Sequence, residues 1–226
     1  RYFKPHATKI EKSFAEEISY SLNQNSKFIN PKFFYDRKGS DLFESITSLP
    51  EYYPTRTEIS ILKKLKQDLP SYLDENMNLV ELGSGASVKT RLILDIFTKL
   101  QVKTEYFPID ISEILTESSE QLLKDYDTLH ITGIIDTYEG GLEFLKTYDD
   151  KKNLILFLGS SFGNFTPDDG KLFLEKIFST MNSDDLFLIG LDLVKDKNIL
   201  EPAYDDSQGI TAKFNLNVLS RINDEL

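Results

Sequence analysis

The feature that most constrains the fold is a regular alternation of strand-like and helix-like segments from residue 78 onward. Apolar runs typical of strands lie at 78–82, 104–109, 129–134, 153–158 and 185–191. Helical spacing is found at 88–100, 112–126, 139–147, 167–181 and 209–225. Runs that are apolar throughout, such as 154–158, are typical of parallel strands covered on both faces. The alternation therefore predicts an α/β fold with a doubly wound sheet.

Two further expectations concern the helices. Residues 14–22 and 57–69 show helical spacing, so the first 75 residues are predicted to be mainly helical or irregular. Within 88–100, the apolar residues at four-residue steps are predicted to form the stripe that packs on the sheet. They are Val88, Leu92, Ile96 and Leu100.

Composition excludes several classes of function. A net charge of −11 argues against nonspecific binding to nucleic acid, which requires clustered Lys and Arg. The chain has no Cys and two His, so thiolate chemistry and a multi-histidine metal site are excluded, and we expect no metal. No apolar run approaches the roughly 20 residues of a membrane-spanning helix. The first residues lack an apolar signal core, which favours the cytoplasm.

Polar residues and glycines follow every predicted strand, at the edge where open α/β sheets bind ligands. Along the chain they are Glu81 with Gly83 and Gly85, then Asp110, Asp136, the segment 159–164, and Asp192. Because all five predicted strands end in this way, the recurrence indicates a ligand site more strongly than any single residue does.

The turn after the first of these strands reads Glu81-Leu82-Gly83-Ser84-Gly85 and leads directly into a helix. Such a turn presents backbone N–H groups and a positive helix end, although the glycines also fit a plain tight turn. The dinucleotide fingerprint needs a third glycine where this chain has Val88, and the P-loop spacing is absent. Glu81 at the edge of the cradle favours a cationic ligand over a pyrophosphate. The remaining pattern, E-x-G-x-G, is typical of folds that bind S-adenosylmethionine.

The next strand ends suggest how such a ligand is held. Asp110 can accept both ribose hydroxyls, or it can cap the following helix, a role for which Ser112 competes. Asp136 can accept from an adenine amine, or it can be a plain loop carboxylate. Lys89 lies in the first turn of a helix, where the dipole disfavours a cation, so we expect it to pair with a ligand carboxylate rather than only with solvent.

The segment after the fourth strand contains Gly163 and Asn164. The Asn164 amide both donates and accepts, which suits an amino-acid ligand, whereas the alternative is an ordinary turn residue. Thr166 and Pro167 are predicted to be the N-cap and first residue of the following helix.

Together these motifs resemble the histidine-specific Nα-methyltransferases, which trimethylate L-histidine in ergothioneine biosynthesis. The matching strings extend over nearly the whole chain. They are 31–36 with 39–40, 49–56 (Leu-Pro-Glu-Tyr-Tyr-Pro-Thr-Arg), 81–85 with 89–91, 157–160 with 163–164, 192–196, and 203–206 with 209–212 and 214–215.

The resemblance implies a Rossmann-like class I methyltransferase sheet with S-adenosylmethionine as its cofactor. Its cofactor-binding residues here would be Gly83, Gly85, Lys89, Asp110, Asp136 and Thr137. The acceptor-binding residues would be Tyr52, Phe43, Asn164 and Tyr204, with Tyr35 as the catalytic residue that orients the amine. Periodicity alone assigns the aromatic residues among these to packing.

The resemblance also implies an organisation and leaves alternatives open. Residues 1–75 would contribute to a substrate lobe, 76–195 would form the cofactor-binding core, and 196–226 would begin an inserted substrate lobe. Members of the family continue beyond the point where this sequence ends, so we expect that the sequence is either a fragment or a chain that has lost part of its acceptor site. A monomer acting on a free amino acid is favoured. The alternatives are a tryptophan-derivative acceptor, a non-catalytic binding protein with the same fold, and a nicotinamide-dependent oxidoreductase.

Overall fold

The computed structural model describes residues 1–5, 13–85, 87–111 and 114–226, so His6 and the predicted helix cap Ser112 lie outside the described residues. The chain divides into two compact units. The Rossmann-like unit comprises Arg1–Ala7 and Thr57–Asp192, and the aromatic unit comprises Thr8–Arg56 and Leu193–Leu226.

The described part of the Rossmann-like unit contains one seven-stranded sheet in which every strand pair is parallel. Its strands are β1 (Tyr2–Phe3), β2 (Met77–Leu82), β3 (Thr104–Asp110), β4 (Leu129–Ile131), β5 (Gly133–Ile135), β6 (Lys152–Phe157) and β7 (Leu186–Ile189). The order is β1-β5-β3-β2-β6-β7, and β4 also pairs with β3. Because β2 lies between β3 and β6, the strand order reverses beside β2, which confirms the doubly wound class.

Four helices follow these strands in the Rossmann-like unit. They are α4 (Val88–Leu100), α5 (Ile114–Asp125), α6 (Tyr138–Tyr148) and α7 (Pro167–Thr180). Each of these four helices lies within two residues of its predicted bounds, whereas the helix predicted over 57–69 is found four residues earlier, at Tyr53–Leu65. The predicted cap of α7 is confirmed, since the Thr166 side chain accepts from the Asp169 N–H and Pro167 opens the helix.

The predicted buried stripe of α4 is confirmed at Ile96 and in part at Leu92, and it is wrong at its two ends, Val88 and Leu100. The side chains buried on this helix are Thr90, Ile93, Leu94, Ile96 and Phe97, whereas Val88 is 56% exposed. Steps of four residues advance 400° around a helix of 100° per residue, so the predicted stripe drifts by about 120° over its length. The sheet instead covers the face that carries Ile93 and Phe97.

The strand predictions missed β1 and joined β4 to β5. β1 is two residues long and pairs with β5 through Tyr2 and Phe3. A side chain at Gly133 would come within 2.5 Å of the Tyr2 ring, so the glycine gives β1 room to approach. β4 and β5 pair with β3 in the same register, and only Thr132, whose N–H donates to the Tyr106 carbonyl, lies between them.

The aromatic unit is helical in its described part. It contains α1 (Phe14–Leu22), α2 (Arg37–Thr47), α8 (Lys197–Tyr204), α9 (Ile210–Glu225) and the first residues of α3 (Tyr53–Leu65), which continues into the Rossmann-like unit. The Asn217 amide of α9 donates to Asp36, the N-cap of α2, over 2.8 Å. This bond joins residues 181 positions apart. No helix in the described ranges is long and apolar enough to cross a membrane.

Candidate functional site

The turn after β2 has a backbone that favours glycine. Gly83 and Gly85 have φ of +73° and +48°, and Ser87 also adopts the left-handed region. A Cβ at Gly83 would lie 2.9 Å from the Tyr138 hydroxyl, whereas at Gly85 it would meet nothing within 4 Å. The Ser87 hydroxyl is buried and has no hydrogen-bond partner among the described residues. The turn therefore forms a cradle with open space above Gly85 and an unsatisfied polar atom beside it.

Backbone hydrogen bonds bring the predicted cofactor residues to one edge of the sheet. The Gly83 N–H donates to the Ile109 carbonyl over 2.9 Å, which places the β2 turn beside the end of β3. The Asp136 N–H donates to the Asp110 carbonyl over 3.2 Å, which places the end of β5 on the other side. Gly83, Asp110 and Asp136 thus lie on three adjacent strand ends, as predicted for residues that share a ligand.

Asp136 and Thr137 form the start of α6. The Thr137 side chain accepts from the Gly140 N–H, so this residue is the N-cap, and its own N–H donates to the Asp136 carboxylate over 2.7 Å. A side chain at Gly140 would collide with that carboxylate. The capping role of Thr137 explains its position by local structure, and its contact with a cofactor stays a prediction.

Glu81 does not line the cradle, which corrects the expectation that its carboxylate faces a cationic ligand. Its side chain is 3% exposed and accepts hydrogen bonds from the Thr90 and Tyr106 hydroxyls over 2.7 and 2.5 Å. Burial raises the pKa of Glu81 to about 7, against the opposing effect of these two donors. The carboxyl group therefore lies in the core beneath the turn, where it contacts Thr90 and Tyr106.

Lys89 makes an ion pair that the sequence did not predict. Its ammonium lies 2.7 Å from the carboxylate of Glu58 on α3, and that carboxylate also accepts from the Gly159 N–H over 2.9 and 3.0 Å. A Cβ at Gly159 would lie 3.2 Å from the Lys89 ammonium, and one at Gly190 would lie 1.9 Å from a Glu58 oxygen. Both glycines leave space for this ion pair. Glu58 had no motif signal, because it occupies an ordinary position in a helical pattern.

The turn after β6 lies beside the point where the strand order reverses, because β6 is the neighbour of β2 in the sheet. Gly159 and Ser160 have φ of +85° and +57°, so this turn, like that after β2, carries residues in the left-handed region. A short 3₁₀ helix follows over Ser161–Asn164. Its last residue, Asn164, is exposed, and a Cβ at Gly163 would meet nothing within 4 Å. The space around Asn164 is therefore open, as its predicted role as an acceptor-binding residue requires.

The four aromatic residues predicted to bind or orient the acceptor form a continuous chain of ring contacts within the aromatic unit. Tyr35 contacts Phe43 with ring centroids 5.4 Å apart, Phe43 contacts Tyr52 at 6.2 Å, and Tyr52 contacts Tyr204 at 6.0 Å. All three contacts are edge-to-face, the arrangement favoured by the ring quadrupoles. Desolvation by burial raises the pKa of the Tyr35 hydroxyl, so it remains a neutral donor at physiological pH.

Phe214 lies at the centre of this aromatic chain, and sequence reasoning did not single it out as a functional residue. It is buried, and its ring centroid lies 5.5 to 5.8 Å from those of Phe34, Tyr35 and Phe43. Its helix, α9, begins where Asp206 accepts from the N–H groups of Ile210 and Thr211. Only the periodicity of 209–225 could have indicated that Phe214 is buried.

Two hydrogen-bonded carboxylates, the partly exposed Glu51 and the buried Asp206, adjoin Tyr52 and Tyr204 in the sequence. Glu51 accepts from the Ser207 hydroxyl over 2.7 Å, and this bond lowers the pKa of Glu51. Asp206 receives three backbone N–H donors, from Gln208, Ile210 and Thr211. Burial alone raises the pKa of Asp206, but these donors lower it to about 2. Both residues therefore remain ionised near neutral pH.

The described ranges contain no group of three or more His, Asp or Glu side chains arranged to hold a metal ion.

Comparison with known proteins shows the family to which the chain belongs. The model of the family described as "Histidine-specific methyltransferase, SAM-dependent" matches residues 14–226. The chain belongs to this family. Its cofactor is therefore S-adenosylmethionine, the dinucleotide alternative is rejected, and the family resemblance of the sequence motifs is confirmed.

Individual members of the histidine-specific methyltransferase family are similar over most of this chain. The histidine N-alpha-methyltransferase of Mycolicibacterium smegmatis is 38% identical over 97% of this chain and 68% of its own length. The protein of the same name from Mycobacterium tuberculosis is 39% identical over 93% of this chain and 65% of its own length. Ergothioneine biosynthesis protein 1 of Neurospora crassa is 35% identical over 84% of this chain and 22% of its own length. The chain spans about two thirds of the length of the two bacterial relatives.

Proposed function

We propose that this protein transfers methyl groups from S-adenosylmethionine to the α-amine of a free amino acid, L-histidine. The observation that carries the proposal is the family match over residues 14–226, which includes every predicted site residue. The names of the two mycobacterial relatives support histidine as the acceptor.

The cradle after β2 suits the cofactor. The open space above Gly85 and the unsatisfied Ser87 hydroxyl provide room and a polar partner for the methionine part. Asp110 offers two acceptor oxygens to the ribose hydroxyls, and Asp136 at the next strand end is proposed for the adenine amine. Thr137 and Lys89 complete the proposed set, Lys89 for the carboxylate of the methionine part.

The chemistry needs little beyond binding and alignment. The neutral amine uses its lone pair to form a bond to the methyl carbon, while the carbon–sulfur bond breaks and its electron pair stays on sulfur in S-adenosylhomocysteine. After the first and second transfers the methylated ammonium releases a proton to solvent and becomes neutral again, whereas the third transfer gives a quaternary ammonium with no proton to lose. Because no strong base is required, positioning and exclusion of water supply most of the rate enhancement.

The aromatic residues are proposed to hold the acceptor. Tyr35 is assigned to orient the amine as a neutral hydrogen-bond donor or acceptor, and Phe43 to line the space that the added methyl groups fill. Tyr52 and Tyr204 are assigned to the amino-acid group. For the Rossmann-like unit, Asn164 stays a predicted acceptor-binding residue. A net charge of −11 supports a small-molecule acceptor over a nucleic acid, and we favour a monomer in the cytoplasm, where free amino acids are made.

Isothermal titration with S-adenosylhomocysteine tests the cofactor site. We expect micromolar binding by the wild type and at least a tenfold weaker affinity in Asp110→Asn, which removes the charge at constant size. Exposed Asp205→Asn, placed in the aromatic unit, is the matched control and should bind as the wild type does. Equal affinity in Asp110→Asn would remove the ribose assignment.

Mass spectrometry of reactions with each of the twenty free amino acids tests the acceptor. Histidine should gain 14, 28 and 42 mass units in steps, because each transfer replaces a hydrogen with a methyl group. Methylation of tryptophan alone would replace histidine with the alternative acceptor. Cofactor binding without methylation of any amino acid would instead favour a non-catalytic binding protein.

A further inference from the structure

The ion pair between Glu58 and Lys89 occupies the edge of the sheet where the cofactor is proposed to bind. Glu58 comes from α3, Lys89 from the first turn of α4, and the Gly159 N–H from the turn after β6. One carboxylate thus connects a distant helix with the two turns on either side of the switch point. All of these residues belong to the Rossmann-like unit.

The pair is too enclosed to be an ordinary surface contact. The Glu58 and Lys89 side chains are 14% and 25% exposed, so solvent screens their attraction less than it screens an ion pair at the open surface. Both oxygens of the Glu58 carboxylate also accept from the Gly159 N–H. The free-energy cost of removing this carboxylate from water is therefore offset by the Lys89 ammonium and the Gly159 amide together.

Two glycines leave the space that this pair fills. A methyl group at Gly190 would lie 1.9 Å from a Glu58 oxygen, and one at Gly159 would crowd the Lys89 ammonium at 3.2 Å. Gly190 has no left-handed backbone that would itself demand glycine. Its lack of a side chain is therefore explained by the position of the Glu58 carboxylate.

Lys89 keeps donors for a ligand while it is held by Glu58. A lysine ammonium has three donors, and in the described residues Glu58 accepts one of them. A cation in the first turn of a helix is opposed by the helix dipole, and the Glu58 carboxylate offsets that cost. The remaining donors are at the carboxyl edge of the sheet, where a ligand carboxylate can accept them.

We propose that Glu58 is a positioning residue for the cofactor: it fixes the Lys89 ammonium and the Gly159 amide so that Lys89 is presented to the carboxylate of S-adenosylmethionine. This inference rests on the proposed function, because it takes Lys89 as a cofactor-binding residue. Glu58 itself acts only through Lys89 and the β6 turn.

A double-mutant cycle with S-adenosylhomocysteine as the titrant tests the proposal. Glu58→Gln keeps the size and the acceptor for Gly159 but loses the charge, and we expect it to weaken binding about tenfold. Lys89→Met should weaken binding by at least as much, and the double variant no further than Lys89→Met alone, because the two residues act as one unit. Additive losses, or unchanged or tighter binding by Glu58→Gln, would overturn the proposal.

Two further variants separate positioning from folding. Gly190→Ala displaces the Glu58 carboxylate without altering its charge, and it should weaken binding in the same direction as Glu58→Gln. Lys66→Gln is the matched control, because it breaks another ion pair to α4, Lys66 with Asp95 at 2.8 Å, away from the strand ends. It should bind as the wild type does, and an equal loss in this control would assign the effect to general destabilisation and overturn the proposal.

Steady-state kinetics distinguish this proposal from the function on which it rests. In Glu58→Gln we expect KM for S-adenosylmethionine to rise about tenfold while KM for histidine stays within twofold. A wild type that binds no S-adenosylhomocysteine contradicts the proposed function and this inference together. A wild type that binds and turns over, with a Glu58→Gln variant of unchanged KM, contradicts this inference alone.

Discussion

The two units hold their predicted ligand-binding residues by different means. In the Rossmann-like unit, backbone hydrogen bonds set the positions, as between Gly83 and Ile109 or between Asp136 and Asp110. In the aromatic unit, side-chain packing sets them, through ring contacts that run from Tyr35 to Tyr204. The difference teaches that backbone-held positions carry local sequence signals, whereas positions held by packing depend on residues far away in the chain.

The largest effect is expected from breaking the packing in the aromatic unit. Phe214→Ala removes the ring at the centre of the aromatic chain, and truncation of a buried Phe costs about 3–5 kcal/mol of unfolding free energy. The near-ultraviolet circular dichroism of the tyrosines should weaken as well. Chemical denaturation measures the loss.

Phe178→Ala in the Rossmann-like unit is the control for this truncation. Its side chain is 80% exposed, so the same change should alter the unfolding free energy by less than about 0.5 kcal/mol. If Phe214→Ala lowered the unfolding free energy as little as this control does, packing against Phe214 would not be what holds the aromatic chain together.

An intermediate effect is expected from pH, through Glu81 of the Rossmann-like unit. Its folded pKa is about 7, raised from a reference value of 4.5, so the unfolded chain ionises this group first. The stabilisation that the protonated Glu81 gives the folded state is complete below about pH 4.5 and is lost as the pH rises through 7. The whole change in unfolding free energy is on the order of 3 kcal/mol. Glu81→Gln cannot ionise and should reduce the fall in unfolding free energy between pH 5 and pH 8.

Denaturation curves of the wild type, Glu81→Gln and the exposed control Glu75→Gln at these two pH values measure this effect. Glu75→Gln should retain the pH dependence of the wild type. A Glu81→Gln variant with the same pH dependence as the wild type would show that the buried carboxyl group is ionised in the folded protein throughout this range.

The smallest effect is expected from Asp206 in the aromatic unit, and its pH dependence has the opposite sign. Its folded pKa of about 2 lies below the reference value of 3.8, so the stabilisation is present above that value and is lost as the pH falls through 2. Asp206→Asn weakens the bonds to three backbone donors, which should cost about 1 kcal/mol at pH 7. The difference in unfolding free energy between the wild type and Asp206→Asn should become smaller as the pH falls towards 2.

Asp205→Asn provides the adjacent control for Asp206, because it changes the same charge at an exposed position. Thermal unfolding at pH 7 and pH 3 should separate the two variants. Equal melting temperatures for Asp205→Asn and Asp206→Asn at pH 7 would mean that the three N–H contacts to Asp206 add no stability beyond the effect of one negative charge.

Much of the Rossmann-like unit could be predicted from sequence because its signals are local. The turn at Gly83, the cap at Thr166 and the apolar run of β6 each depend on a few consecutive residues. The register of α4 could not be predicted in this way, since several apolar faces compete and the sheet selects one. The two-residue strand β1 was missed because it is too short to show a period and depends on space left by Gly133.

The site was predictable to a different extent in each unit. Asp110 and Asp136 were predicted as cofactor-binding residues from their places after strands, and the structure brings them to one edge of the sheet. Tyr52 and Tyr204 were predicted to bind the acceptor only through the family resemblance, because nothing local distinguishes a ligand-binding tyrosine from a packed one. Glu58 was missed altogether, since its role depends on Lys89, Gly159 and Gly190, which lie 31, 101 and 132 positions further along the chain.

Gly190 has a consequence for how this sequence varies among its relatives. An alanine there removes the space that a Glu58 oxygen now occupies, so evolution can accept it only together with a shorter or relocated side chain at position 58. Positions 58 and 190 should therefore covary across the family, with position 89 changing alongside them. The glycine that follows β7 should therefore be retained in relatives that keep a glutamate at position 58.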